Sequence, residues 1–135
     1  MKRLHVSFNV TDLERSIAFY ENLFGAKPSV IREGYAKWLL DDPRMNFVIE
    51  ANSEKPGFTH AGIQTESADE LGEVFDRMKQ AEAPYLPEGV TTCCYAKSEK
   101  SWTMDPDGVA WEAFHTRHQT EEYGRSPDLL QEQAE

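Results

Sequence analysis

Arg3-Leu4-His5-Val6-Ser7-Phe8-Asn9-Val10 opens the chain, and Thr59-His60-Ala61-Gly62-Ile63-Gln64 returns to the same pattern 55 residues later. Each stretch alternates between two kinds of residue, as a strand with two different faces requires. Leu4, Val6, Phe8 and Val10 form an apolar side, with His5, Ser7 and Asn9 opposite. In the second stretch Ala61 and Ile63 oppose His60, Gly62 and Gln64. The offset that lays His5 on His60 also lays Tyr20 on Phe75, Leu23 on Met78 and Ala26 on Ala81. A pattern that holds its register over this distance is an internal repeat.

The segment after each opening strand repeats as well. Thr11 with Glu14, and Ser67 with Glu70, read as capping boxes at helix starts. Leu13, Ile17, Tyr20, Leu23 and Phe24 recur at helical spacing in the first half, and Leu71, Val74, Phe75 and Met78 in the second. Gly25 should stop the first helix and Pro84 close off the second. Short strands are then expected over 28–32, 35–40 and 45–50, and over 85–87, 91–96, 101–104 and 109–115. Asp41-Asp42-Pro43-Arg44 and Asp105-Pro106-Asp107-Gly108 supply turns. The expectation is an α+β domain over residues 1–116. It is built from two tandem βαβββ modules, 1–51 and 58–116, that enclose a metal site. Residues 117–135 read as a polar tail.

Composition narrows the function classes. Among 135 residues, 24 acidic against 14 basic side chains give a net charge of −10, which argues against nucleic acid and anionic membrane surfaces as partners. No apolar run is long enough for a signal peptide or a membrane span. With Cys93 and Cys94 adjacent and free, the cytoplasm is the expected compartment. Adjacency disfavours a disulfide between them, because neighbouring Cα atoms lie about 3.8 Å apart, below the usual range of about 4.4–6.8 Å. Two neighbouring thiols can instead hold one soft atom from two sides, provided a loop or bulge turns both the same way.

His5 and His60 hold matching positions in their repeats, and on the last strand Ala110, Glu112 and Phe114 share a face opposite Trp111 and Ala113. Two imidazoles and one carboxylate form the facial set of non-haem Fe(II) oxygenases, with coordination positions left open. Matching Phe47 to Trp111 sets Val48 against Glu112, so the repeat supplies three ligands and not four. His115 and His118 read as surface residues.

These residues bring the chain to a known pattern. Two βαβββ modules, a histidine opening each, and Asp105-Pro106-Asp107-Gly108-Val109-Ala110-Trp111-Glu112 resemble the vicinal-oxygen-chelate superfamily of glyoxalases, bleomycin-resistance proteins and extradiol dioxygenases. Pro56-Gly57-Phe58-Thr59-His60-Ala61-Gly62 and Thr91-Thr92-Cys93-Cys94-Tyr95-Ala96 narrow the resemblance to the carbon–arsenic lyases and related cadmium-induced proteins. The resemblance implies an enzyme that uses Fe(II) and O2 to break the carbon–arsenic bond of methylarsenite or reduced aromatic arsenicals, releasing arsenite. It puts the metal on His5, His60 and Glu112, and the arsenical on Cys93 and Cys94. Co2+, Ni2+, Mn2+ or Zn2+ could take the place of iron in a purified form. A homodimer is left open.

Chemistry agrees with that division. A trivalent organoarsenical has two exchangeable hydroxyls, which two thiolates can replace, and Lys97 and Lys100 lie close enough in sequence to favour thiolate. Two other classes stay open at this point: a protein that sequesters cadmium or arsenic, and a glyoxalase-type isomerase. The first would want more thiols, and Val48 in place of a fourth ligand counts against the second.

Overall fold

The computed structural model describes residues 1–82, 85–91 and 98–116. Among these residues, eight strands and two helices follow in the order β1 (Arg3–Asn9), α1 (Leu13–Phe24), β2 (Val30–Arg32), β3 (Tyr35–Asp41), β4 (Arg44–Glu50), β5 (Gly57–Thr65), α2 (Ala68–Gln80), β6 (Tyr85–Thr91), β7 (Ser98–Met104) and β8 (Ala110–Thr116). The strands make one mixed sheet in the order β2-β3-β4-β1-β5-β8-β7-β6. At its centre β1 and β5 run antiparallel, with Val6 opposite Ala61, His5 opposite Gly62 and Ser7 opposite His60. Val6 and Ala61 are themselves 55 apart, so the strand pair is centred on the repeat's own offset. Outward from there, β1 pairs with β4 in parallel and β5 pairs with β8 in parallel.

Both helices pack on one face of the sheet. Val6, Phe8, Leu13, Ile17, Tyr20 and Phe24 close over the buried cluster of Ala36, Trp38, Phe47 and Ile49. Leu71, Val74 and Met78 of α2 bury against Ala113, with Ile63, Phe75 and Tyr85 at the margin. Each fully buried large side chain of this kind contributes about 1.5–3 kcal/mol, and Trp38 also places its Nε1–H on the Ala26 carbonyl at 2.9 Å. Leu23, expected in the packed stripe, instead stands 62% exposed. Leu4, expected on the apolar side of β1, is exposed as well.

Helix limits differ from the expected ones in instructive ways. The N-cap of α1 is Asp12, not Thr11: its carboxylate accepts the Arg15 N–H at 3.1 Å, an oxygen geometry preferred at that position. Ser67 does cap α2, accepting from Glu70 N–H, while the Glu70 carboxylate reaches back to Glu66 N–H, one residue before the cap. Gly25 ends α1 at φ 68°, a left-handed conformation that suits glycine. α2 ends at Gln80, before Pro84, which lies outside the described residues.

β6 and β7 are longer than the strands expected over 85–87 and 101–104, while β8 keeps the expected length, shifted by one residue. β6 runs through Tyr85–Thr91, with a register slip between Pro87 and Gly89, and the strand expected over 91–96 lies outside the described residues beyond Thr91. A proline and a glycine two apart suggest a break, but an edge strand accommodates both through a bulge. The turn into β8 is as expected: Asp105 Oδ1 accepts from the N–H groups of Asp107 and Val109 at 2.9 and 2.8 Å, and Gly108 takes φ 88°.

Candidate metal centre

The sheet face turned away from the helices carries His5 and Ser7 on β1, Asn46 and Val48 on β4, His60, Gly62 and Gln64 on β5, and Glu112 and Phe114 on β8. Alternation sets this, since Ala36, Trp38, Phe47, Ile49 and Ala113 are committed to the helix side. His5, His60 and Glu112 meet there, although they come from three strands well separated in the chain. His5 Nε2 is 3.2 Å from His60 Nε2, and Glu112 Oε1 lies 3.6 and 3.4 Å from those two atoms. The three side chains form a group that could hold a metal ion.

Supporting contacts fix the ring orientations. His5 Nδ1 faces only acceptors, the Asn46 carbonyl at 3.1 Å and Asn46 Oδ1 at 3.3 Å, so it carries the hydrogen. Asn46 is oriented in turn by Nδ2 donating to Gln64 Oε1 at 3.0 Å. His60 Nδ1 lies 3.2 Å from Thr59 Oγ1, whose own hydrogen goes to the Ser7 carbonyl at 3.0 Å. The hydroxyl therefore accepts from His60. The β1–β5 register makes this contact available: Ser7 pairs with His60 but Phe8 with Phe58, leaving Thr59 as the extra residue of a bulge. With Nδ1 as the donor on both rings, two Nε2 lone pairs and a carboxylate oxygen converge on one point. Three acceptors without a proton between them suit a cation.

Electrostatics separates charge roles at the site. Burial pushes the His5 imidazolium down to about 4, which keeps that ring neutral at physiological pH. Burial alone would raise Glu112, but at the acid pH where it would titrate, a hydrogen bond from charged His60 and the charges of Lys100, His5 and His60 outweigh it and hold the carboxyl at about 2. Lys100 Nζ sits 3.3 Å from Glu112 Oε2, the oxygen not turned to the histidines, leaving Oε1 as the inward atom. The described partner of Lys100 is thus Glu112, where the sequence suggested the thiols. Cys93, Cys94, Lys97 and His118 lie outside the described residues. His115 is half-buried, its Nδ1 at 3.3 Å from the Thr65 carbonyl, and takes no part in the cluster.

The registers also place Val48. Ser7 pairs with Val48 on β4, and Gly62 pairs with Glu112 on β8, so valine occupies the position matching the carboxylate. Asn9, expected on the polar face, reaches the Lys55 carbonyl at 3.4 Å and stands apart from the cluster. Trp111 points to the helix side but is only partly buried. Sequence alone singles out neither Asn46 nor Thr59, and it gives Lys100 a different role. Parity would have placed Asn46 beside Val48, but nothing local signals the bulge that turns Thr59.

Residues 2–113 match the family described as the Glyoxalase/Bleomycin resistance protein/Dioxygenase superfamily. The chain belongs to that superfamily. Its superfamily relatives include a protein named "Trivalent organoarsenical cleaving enzyme" from Bacillus sp. (strain MD1), 45% identical over 132 residues that cover 94% of this chain and 81% of the relative. "Cadmium-induced protein CadI" from Mycobacterium tuberculosis (strain ATCC 25618 / H37Rv) is 33% identical, covering 94% of this chain and 84% of its own length. A solved structure of a homoprotocatechuate 2,3-dioxygenase variant from Brevibacterium fuscum superposes with a TM-score of 0.64 at 15% identity, over 96% of this chain and 36% of that one. That likeness concerns the superfamily fold. Among the described residues no helix is long and apolar enough to cross a membrane.

Proposed function

We propose that this chain is an Fe(II)- and O2-dependent enzyme that cleaves the carbon–arsenic bond of trivalent organoarsenicals, such as methylarsenite and reduced aromatic arsenicals, and releases arsenite. The observation that carries it is the convergence of His5 Nε2, His60 Nε2 and Glu112 Oε1 on one point of a buried polar face. The 45% identity to a protein named for cleaving such compounds supports the choice of substrate. We read residues 1–116 as one domain of two βαβββ modules, 1–51 and 58–116, that enclose this site. Adjacent free thiols suit the reducing cytoplasm.

In this reading His5, His60 and Glu112 are the protein ligands. Iron held there would keep open positions and supply electron transfer toward oxygen. Asn46 and Thr59 hold the two imidazoles with Nε2 directed inward. Lys100 engages Glu112 Oε2, so the carboxylate offers Oε1 alone. Gly62 removes side-chain bulk from between the ligand strands. Cys93 and Cys94 exchange with the two hydroxyls of the arsenical and present its remaining carbon bond to the site. Inorganic arsenite would need a third sulfur to be held equally well, so the product can leave.

Thiol capture and metal binding are then separate tasks. The double variant Cys93→Ser, Cys94→Ser should keep stoichiometric Fe(II) yet lose methylarsenite binding and turnover together, because hydroxyls are poor ligands for a soft atom. Full turnover by that variant would overturn the assignment of the thiols. Stoichiometric iron in His60→Ala would overturn the assignment of the metal.

A further inference from the structure

Among the described residues, two buried donors on the face of the ligand cluster have no hydrogen-bond partner. Ser7 is 1% exposed and its Oγ is unbonded, and Trp102 Nε1 is shut from solvent and unbonded as well. A buried donor without a partner costs about 1–3 kcal/mol, so such groups are rare and call for an explanation. These two share one neighbourhood. Ser7 follows His5 by two residues on the same side of β1, and its Cα partner on β5 is His60. Trp102 on β7 is the Cα partner of Glu112, and its ring lies edge-on to His60 with centroids 5.2 Å apart. Across the strand order β1-β5-β8-β7, Ser7 and Trp102 therefore bracket His60 and Glu112.

Among the described residues, three polar groups around them are already engaged. Thr59 Oγ1 serves the Ser7 carbonyl and His60, Asn46 serves His5 and Gln64, and Lys100 serves Glu112. What remains is an indole N–H, which can only donate, and a hydroxyl free to donate. A pair of donors beside an open-sided cation site selects a ligand rich in lone pairs.

We propose that Ser7 Oγ–H and Trp102 Nε1–H donate hydrogen bonds to a small anionic ligand of the azide type, the class to which the anions of partly reduced dioxygen belong, at the open side of the His5–His60–Glu112 group. The inference rests on the metal reading above but not on the arsenical. It makes Ser7 and Trp102 positioning residues for the oxygen side of the reaction.

Azide titration of the Co(II)-loaded protein, with oxygen and arsenicals excluded, tests this through the visible spectrum of the metal. Ser7→Ala and Trp102→Phe should each weaken azide binding about 5- to 10-fold, the worth of one hydrogen bond, while Co(II) affinity stays within about twofold. Phenylalanine keeps a ring against His60 and removes only the N–H donor. Ser7→Ala alone decides the matter if the tryptophan variant fails to fold. Unchanged azide affinity in the folded variants overturns the proposal. A wild-type protein that takes up no Co(II) overturns the metal reading itself, and this inference with it.

Discussion

Gly62 leaves room for His5: a Cβ at position 62 would stand 3.2 Å from His5 Cδ2 and 2.7 Å from the Glu112 carbonyl oxygen. The glycine lies between two ligand strands, paired with His5 on one side and Glu112 on the other. Its role is steric, since a methyl group would push against backbone that cannot yield cheaply. Gly62→Ala should lower metal affinity by about tenfold or more and destabilise the fold by about 1–3 kcal/mol, read by metal titration and denaturant unfolding. Wild-type values for both would show that the strands relax around the methyl group.

The Thr59 bulge makes a sharper prediction, because its hydroxyl sits between His60 Nδ1 and the Ser7 carbonyl. Thr59→Val keeps the shape and removes both hydrogen bonds. Metal affinity should fall about 10- to 100-fold, as for other partners that orient a metal-binding histidine, and Thr59→Ser should restore it. Equal loss in the serine variant would point to packing of the threonine methyl group instead.

Lys37 is buried on the same sheet face, opposite Val48, and burial pulls its pKa down to about 7. Folding thus favours the neutral amine, while the unfolded chain still binds the proton up to about 10.5. The resulting cost is largest at pH 7 and below, and it fades as pH rises toward 10.5. Lys37→Met should therefore raise the melting temperature at pH 7 by about 5 °C or more, with the gain shrinking at alkaline pH. A lower melting temperature at pH 7 would mean that the lysine's contacts outweigh its desolvation.

Much of this arrangement is legible in the sequence because the repeat carries it. The offset between His5 and His60 fixes the central strand pair, and alternation then decides which residues share a face with them. Glu112 and Val48 follow from matching the last strand of each half. The supporting contacts are not legible, since each depends on register between distant strands. Asn46 reaches His5 across the β1–β4 pairing, and Lys100 reaches Glu112 across β7 and β8. Thr59 depends on a one-residue bulge that no local pattern announces. Leu23 misleads for the opposite reason: helical spacing gives a stripe wider than the sheet beneath α1 can cover.

The most direct test is arsenite release from methylarsenite by Fe(II)-loaded protein, with oxygen uptake followed in the same vessel. The account predicts arsenite formation with matching oxygen uptake under air, none under anaerobic conditions, and resumption when air is readmitted. Arsenite release that continues at the same rate without oxygen, or tight retention of methylarsenite with no cleavage under air, would contradict it.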